Sequence, residues 1–318
     1  MSVVGSLSAY LGIDESTILR LAAIAPCSYK HYSVDKQAGG KRTIYQPSKQ
    51  TKSLQYALID LLLGEPPIHE SAAAYISGRR SPLLKNAVLH ARFQYSIRLD
   101  FKDFFPSIRP EDLLGRLRAL PFPMCDQDEG IISSVLFVRL SDGSTGLAIG
   151  APASPLICNI IMHPLDVEFA AFASKHAGVY SRYADDLAFS TNQKGACAEF
   201  CTFVESKLSS TTSPRLRLNR KKTLLMSRGT RRVITGLYVT PTGSTSIGRS
   251  NKRYIRKLLF DFCHGRLKQE DQNYLRGYLA YILDVEPDLY NRLALKYGAG
   301  LLSTALGLRP EKPRAGSA

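Results

Sequence analysis

The sequence predicts an α+β body through residue 240 followed by a basic helical appendage, and three observations carry that reading. Short strand-like runs alternate with longer helical ones along the body. Acidic residues stand at the ends of two of those strand-like runs. The charge is lopsided: from Arg215 onward there are 21 Lys and Arg against 7 Asp and Glu, whereas the first 214 residues hold 21 against 20.

The elements follow in chain order. Asp14 is a candidate N-cap for a helix over 15–25, because its carboxylate can accept from the first free backbone N–H groups. Residues 29–46 alternate around Gly39-Gly40, a hairpin pattern. An amphipathic helix is predicted over 51–63, stopping at Gly64-Glu65-Pro66-Pro67. Strand-like runs follow at Tyr95–Leu99 ahead of Asp100, over 179–190 and over 232–240, with a helix over 151–172 after Pro152. Pro241-Thr242-Gly243-Ser244 is turn-rich and is expected to be a linker. Helices are predicted over 251–264 and 269–283. The expected domains are therefore 1–240 and 241–318.

Composition excludes several classes. A chain of 318 residues with 44% hydrophobic and 22% charged content is globular. No run approaches the roughly 18 apolar residues that cross a bilayer, and Met1–Leu11 lacks the basic start of a signal peptide. The six cysteines form no CxxC pair. Cys197 and Cys201, at i and i+4 without partnering histidines, read as buried thiols. A reduced, cytoplasmic protein without a membrane partner is expected. The basic last third is the footprint of a nucleic-acid binder, since each neutralised phosphate releases counterions. An anionic membrane is the competing partner, but no sustained amphipathic helix rich in Trp or Phe is present to insert.

Three carboxylates carry the chemistry. Asp185 and Asp186 are adjacent between the runs Val179–Ala184 and Leu187–Ser190, so a hairpin turn presents two like charges, which is costly unless a cation binds. Asp100 ends the run Ile97-Arg98-Leu99. Hard oxygen ligands suit Mg²⁺, and two such ions can clamp the attacking and leaving oxygens of a phosphoryl displacement. Taken singly, an Asp-Asp pair is usually a solvated turn; the residues around these three change that.

Tyr183-Ala184-Asp185-Asp186 resembles the catalytic box of reverse transcriptases. Leu99-Asp100-Phe101-Lys102-Asp103-Phe104-Phe105-Pro106-Ser107-Ile108 resembles the family's first catalytic motif. Gly150-Ala151-Pro152-Ala153-Ser154-Pro155 with Asn159 resembles the template- and nucleotide-contacting motif between them, and Asn219, Lys222 and Thr223 match the later N-x-x-K-T motif. Asn86-Ala87-Val88-Leu89-His90 and Ile234-Thr235-Gly236 are similar to elements of bacterial retron reverse transcriptases, as is Arg276–Ile282. Many relatives carry Pro-Gln before the motif glycine. Here Ala148-Ile149 stand there, so an amide contact to the nucleotide is lost.

The resemblance implies a right-hand polymerase, with fingers and palm followed by a short basic helical thumb. It implies Asp100, Asp185 and Asp186 as catalytic residues that hold two Mg²⁺ ions, with Phe101 contributing its carbonyl. It also implies Lys222 as the general acid toward pyrophosphate, with a solvated basic patch as the alternative. Phe105 matches the steric gate against a ribose 2′-OH, the alternative being a core ring. Lys102, Asp103, Phe104 and Gly150 would face the nucleotide. Arg42, and Arg79 and Arg80, would belong to the fingers, with surface charge as the alternative.

Asn86 and His90 share a helix face, as a structural pair or as a contribution to RNA recognition. Arg249, Lys252, Arg253, Arg256 and Lys257 crowd one broad helical face with Tyr254 among them, suited to phosphates and unpaired bases. Tyr274, Tyr278 and Tyr281 form a second stripe, two of the three expected in the core. The implied partners are dNTPs, a cognate structured non-coding RNA, its branched RNA–DNA product primed from a guanosine 2′-OH, and a separate effector in anti-phage defence. Two other classes remain: an intron-encoded or diversity-generating reverse transcriptase, and a catalytically silent RNA-binding scaffold.

Overall fold

The computed structural model describes residues 2–35, 39–63, 68–76, 78, 80–119 and 124–307. Arg79, the predicted helix stop at 64–67 and the tail from Arg309 lie outside these. Helices α1 (Val3–Leu11) and α2 (Glu15–Ile24) open the chain. The Asp14 carboxylate accepts from Thr17 N–H at 2.9 Å, so α2 starts where the capping chemistry predicts. Strands β1 (Tyr29–Asp35) and β2 (Lys41–Pro47) form the expected hairpin, in register Tyr29↔Pro47 through Asp35↔Lys41. Helix α3 (Lys49–Leu58) is capped by Ser48, and a π-type turn carries it to Leu63.

Next come α4 (Pro82–Ala91), β3 (Tyr95–Asp100), α5 (Phe104–Ser107), α6 (Pro110–Leu117), α7 (Asp126–Leu136) and the short pair β4 (Val138–Arg139) and β5 (Thr145–Gly146). The 22-residue α8 (Ser154–Lys175) precedes β6 (Val179–Tyr183), β7 (Asp186–Thr191) and α9 (Ala196–Ser210). Strands β8 (Leu224–Ser227), β9 (Arg232–Ile234), β10 (Leu237–Val239) and β11 (Thr245–Ser246) follow. The last described helices are α10 (Arg249–Cys263), α11 (Gln269–Val285), α12 (Pro287–Tyr297) and α13 (Ala299–Leu306). The α+β expectation holds. The main sheet has strand order β6-β7-β3-β8, and a second runs β11-β10-β9.

The chain divides into two compact units: residues 1–77, 97–189 and 193–224 form one, and 78–96, 190–192 and 225–318 the other. The first packs Phe169, Phe189 and Phe200, all fully buried, into an aromatic cluster with Phe172 and Tyr180. The second buries Leu258, Leu259, Leu275, Leu279 and Ile282.

One expectation is corrected. Pro241–Ser244 is not a linker: Thr240 N–H donates to Ser244 O at 2.8 Å, and Tyr238↔Ser246 and Val239↔Thr245 pair across it, so it is a hairpin loop. The residues that loosen a chain also tighten a turn. One helix, α8, is long and apolar enough to cross a membrane by length and composition, with mean hydropathy 1.4, although no unbroken apolar run marks it. Ile157, Cys158, Ile161, Met162, Leu165 and Phe169 are buried along it, the pattern of a core helix.

Candidate active site

The Tyr183–Asp186 segment folds as the sequence predicts. β6 and β7 are joined by the two-residue loop Ala184-Asp185, and Ala184 takes φ 57°. Positive φ in such a loop matches its twist to that of the strands. Asp185 thus sits at the tip and Asp186 opens β7. Phe101 N–H donates to Asp185 O at 3.2 Å, tying the tip to the end of β3. Asn219 N–H donates to Asp100 O at 2.7 Å, and Lys102 N–H to Arg217 O at 2.8 Å. These two bonds hold the 217–222 segment beside β3.

Lys222 lies over the carboxylate of Asp100, with Nζ 2.9 and 2.7 Å from its two oxygens. Burial raises the pKa of Asp185, and the nearby Asp100 charge raises it further. Burial pushes Asp186 up to about 6, and Arg98 is the strongest charge opposing that rise. The structure therefore brings Asp100, Asp185 and Lys222 together and sets Asp186 against Arg98. Among the described residues no three His, Cys, Asp or Glu side chains converge as a ready metal cage. The donor set nonetheless fits a hard divalent cation. Burial and the neighbouring Asp100 charge make ionised Asp185 costly, and the Lys222 ammonium lies on the Asp100 carboxylate.

These residues line a cavity of about 1090 Å³. Arg42, Lys102, Asp103, Phe104, Phe105 and Gly150 line it too, as does Lys222. Phe104 is buried and stacks on Phe101 at 5.2 Å. Phe105 is half-buried, edge-on to Phe104 at 5.6 Å and to Tyr75 at 6.4 Å. Gly150 has φ 113°, and a Cβ there would meet Ile44 Cγ2 at 2.9 Å and Tyr45 O at 3.2 Å. Only glycine lets this loop approach β2 so closely. The departure at Ala148-Ile149 is structural as well: Tyr45 N–H donates to Ile149 O at 2.8 Å, and Ala148 packs with Tyr45, Val138 and Ala151.

Sequence reasoning missed what holds the turn from beneath. Arg182 and Asp166 are both fully buried and form a two-pronged ion pair, Nη2 to Oδ2 at 2.7 Å and Nε to Oδ1 at 2.9 Å. Arg182 Nη1 also donates to Ala184 O at 3.3 Å and to Asn159 Oδ1 at 3.1 Å, while Tyr180 donates to Asp166 at 2.7 Å. Asn159 in turn donates to Ala74 O at 3.1 Å. The available signal was alternation: Tyr180 and Arg182 share one face of β6, so a charge sits where a core side chain belongs.

The family profile of reverse transcriptases, RNA-dependent DNA polymerases, matches residues 34–275. The chain belongs to that family. It is 34% identical over 279 residues to the retron Ec83 reverse transcriptase of Escherichia coli, covering 87% of this chain and 89% of that one. It is 35% identical over 277 residues to the retron Ec73 reverse transcriptase of the same organism, covering 84% and 86%. A solved telomerase from Candida tropicalis, in complex with a fragment of telomeric RNA, aligns at a TM-score of 0.47 and 15% identity, covering 92% of this chain and 58% of that one. The chain is a retron-type reverse transcriptase with a right-hand polymerase fold, and its activity is RNA-directed DNA synthesis.

In the second unit of this reverse transcriptase, Asn86 and His90 are buried in α4. His90 Nδ1 pairs with Ser190 Oγ at 2.8 Å, and Ser190 donates to Ser96 at 2.8 Å. Burial lowers the His90 pKa to about 3, assisted by the Arg232 charge. Neither side chain lies on the surface, so any contribution to RNA recognition runs through the fold. In the basic helix, Arg249, Arg253, Tyr254, Arg256 and Lys257 are exposed. Lys252 is half-buried and held by Glu286 at 2.5 Å. Tyr274 is exposed and Tyr278 and Tyr281 are half-buried, which corrects the expectation that two of these three fill the core. Leu275, Leu279 and Ile282, one residue further along, occupy it instead. Cys197 is buried as expected, whereas Cys201 is only partly so.

Proposed function

We propose that this reverse transcriptase copies its own structured non-coding RNA, starting from a guanosine 2′-OH, to give a branched RNA–DNA molecule. Asp100, Asp185 and Asp186, with the Phe101 carbonyl, are assigned to hold two Mg²⁺ ions. When bound, the ions stabilise charge on the attacking and leaving oxygens. The observation that carries the reading is the meeting of Asp100, Asp185 and Lys222 at one wall of a cavity that also presents Arg42 and Phe105.

The chain's own residues do the rest. Arg42 and Lys102 supply positive charge for the triphosphate, and Asp103, Phe104 and Gly150 shape its seat. Phe105 presents a ring toward the sugar, so a ribose 2′-OH is excluded by collision. The hydroxyl gives up its proton to solvent as it attacks the α-phosphate, the bond to pyrophosphate breaks, and Lys222 donates a proton to the departing oxygen. Residues 241–318 serve as the thumb, where Arg249, Lys252, Arg253, Tyr254, Arg256 and Lys257 contact RNA; Asn86 and His90 support that recognition from within the fold. The retron resemblance further supports cytoplasmic action with a separate effector against phage.

Sequencing of nucleic acid co-purified with the protein tests this reading. DNA joined to one RNA guanosine through its 2′ oxygen is the expected product. Linear DNA started on a free 3′ end, or no associated DNA, would refute the priming assignment.

A further inference from the structure

One side chain lining the active-site cavity sits on a backbone that its residue type resists. Tyr75 takes φ 62°, in the left-handed region, which a bulky residue occupies only where its surroundings impose it. The segment before it is pinned. Arg182 N–H donates to Ser71 O at 2.8 Å, and Ala73 N–H donates to Arg182 O at 2.7 Å. Asn159 Nδ2 donates to Ala74 O at 3.1 Å. The chain is thus fixed through Ala74, and the left-handed step at Tyr75 leaves its ring 47% exposed on the cavity wall. Arg182 and Asn159 also brace the carboxylate turn from beneath. One buried network therefore sets both the turn and the backbone that carries Tyr75.

The Tyr75 ring closes an aromatic series that starts in the core. Buried Phe101, just after β3, stacks on buried Phe104 at 5.2 Å. Phe104 stands edge-on to Phe105 at 5.6 Å, and Phe105 stands edge-on to Tyr75 at 6.4 Å with 73° between the planes. Both separations lie in the range where edge-to-face rings attract. Among the described residues these are the two rings that meet Phe105. Phe104 is buried and Tyr75 is exposed to the cavity, so Phe105 is held between the core and the cavity wall.

We infer that Tyr75 is a positioning residue for sugar selection, its ring keeping the Phe105 ring from swinging aside when a ribose 2′-OH presses on it. A gate that works by collision discriminates only as far as it is stiff, and a side chain is stiff when packing locks its rotamer. The inference rests on the assignment of Phe105 as the gate and extends it to the residue that keeps the gate in place. The strained backbone at Tyr75 is the kind of feature that persists at a working site because the structure around it over-determines it.

The test uses the full chain extending a pre-annealed DNA primer on an RNA template, with dGTP or GTP as the next nucleotide. Discrimination is the ratio of the two kcat/KM values. Tyr75→Ala should lower it roughly 2- to 10-fold, the worth of one edge-on ring pair. Tyr75→Phe keeps the ring and should discriminate as the wild type does. In a Phe105→Val background, Tyr75→Ala should lower discrimination no further, because residues that act through one another do not add. Should Tyr75→Ala lower the thermal midpoint, Tyr75→Gly, which accepts the left-handed backbone, carries the same comparison.

Wild-type discrimination in Tyr75→Ala, beside loosened discrimination in Phe105→Val, would overturn the inference and leave the gate standing. Unchanged discrimination in an active Phe105→Val would remove the gate itself, and the inference with it. A loss in Tyr75→Phe equal to that in Tyr75→Ala would assign the effect to the hydroxyl. A further loss in the Phe105→Val background would make Tyr75 act without Phe105. Either result overturns the positioning role. So would an equal fall in kcat/KM for both nucleotides, the mark of a general distortion of the cavity.

Discussion

The carboxylate turn and the C-terminal helices differ in how firmly their polar groups are tied down. Beneath Asp185, the guanidinium of Arg182 reaches Asp166, Asn159 and the turn's own carbonyl, all inside the fold. On α10, Arg249, Arg253 and Arg256 stand exposed, collected by helical spacing alone. A reacting phosphate needs charge fixed in advance at one place, because reorganisation at the moment of reaction raises the barrier. A flexible polyanion needs only enough charge along its path. In the proposed function, the rigid site is the one assigned to the reacting atoms and the loosely tied one is assigned to holding a polymer.

The comparison predicts unequal costs for equal losses of charge. Arg182→Leu leaves the Asp166 carboxylate buried without its partner and should cost roughly 3–5 kcal/mol of folding stability. Arg256→Ala should stay within about 0.5 kcal/mol. Urea unfolding midpoints check both, and similar costs would erase the distinction. Replacing both members, Arg182→Met with Asp166→Leu, should recover much of the loss, as removal of a whole buried pair commonly does.

The interior of the second unit has its own fixed polar group, which sharpens the contrast with its surface. Burial lowers the His90 pKa to about 3, so between that pH and the unfolded value near 6.5 the unfolded chain binds more protons. Its contribution is therefore complete above pH 6.5 and declines as pH falls, by at most about 1.4 kcal/mol per pH unit. Denaturant titrations at several pH values should show that slope flattened in His90→Gln. An equal slope in both proteins would mean that other groups carry it.

A smaller effect is expected at the sugar. Phe105→Val should raise rNTP use relative to dNTP by roughly tenfold or more, measured as the ratio of kcat/KM values. An active variant with unchanged discrimination would return Phe105 to the role of a packing ring. The smallest shift belongs to the exposed cations. Neutralising Arg253, Arg256 and Lys257 together should lower the log–log salt slope of cognate RNA binding by about one to three units. Extension of a saturating, pre-annealed primer should suffer less than synthesis on cognate RNA.

Legibility in the sequence followed the same divide. Asp100, Asp185 and Asp186 were readable because their neighbours form contiguous motifs, and the hairpin at Ala184-Asp185 follows from flanking apolar runs. The contact of Lys222 with Asp100 joins residues 122 apart and leaves no local trace. The Arg182–Asp166 pair shows in the sequence only as a charge on the buried face of a strand, without naming its partner on the helix. The tyrosines show a second limit. Period 3.6 places Tyr274, Tyr278 and Tyr281 on one stripe and Leu275, Leu279 and Ile282 on its neighbour, and only packing decides which faces inward. Pro241–Ser244 shows a third, since Pro, Gly and Ser mark hairpin turns and linkers alike.

The most direct measurement sets Asp185→Asn beside the wild type in two assays: DNA synthesis on cognate RNA with Mg²⁺, and a salt titration of RNA binding. The substitution keeps the turn's shape while removing one charge from the carboxylate pair. Synthesis should vanish, while RNA affinity and salt slope stay at wild-type values. Near-normal synthesis, or RNA binding lost in step with synthesis, would contradict the placement of the chemistry at the carboxylate turn.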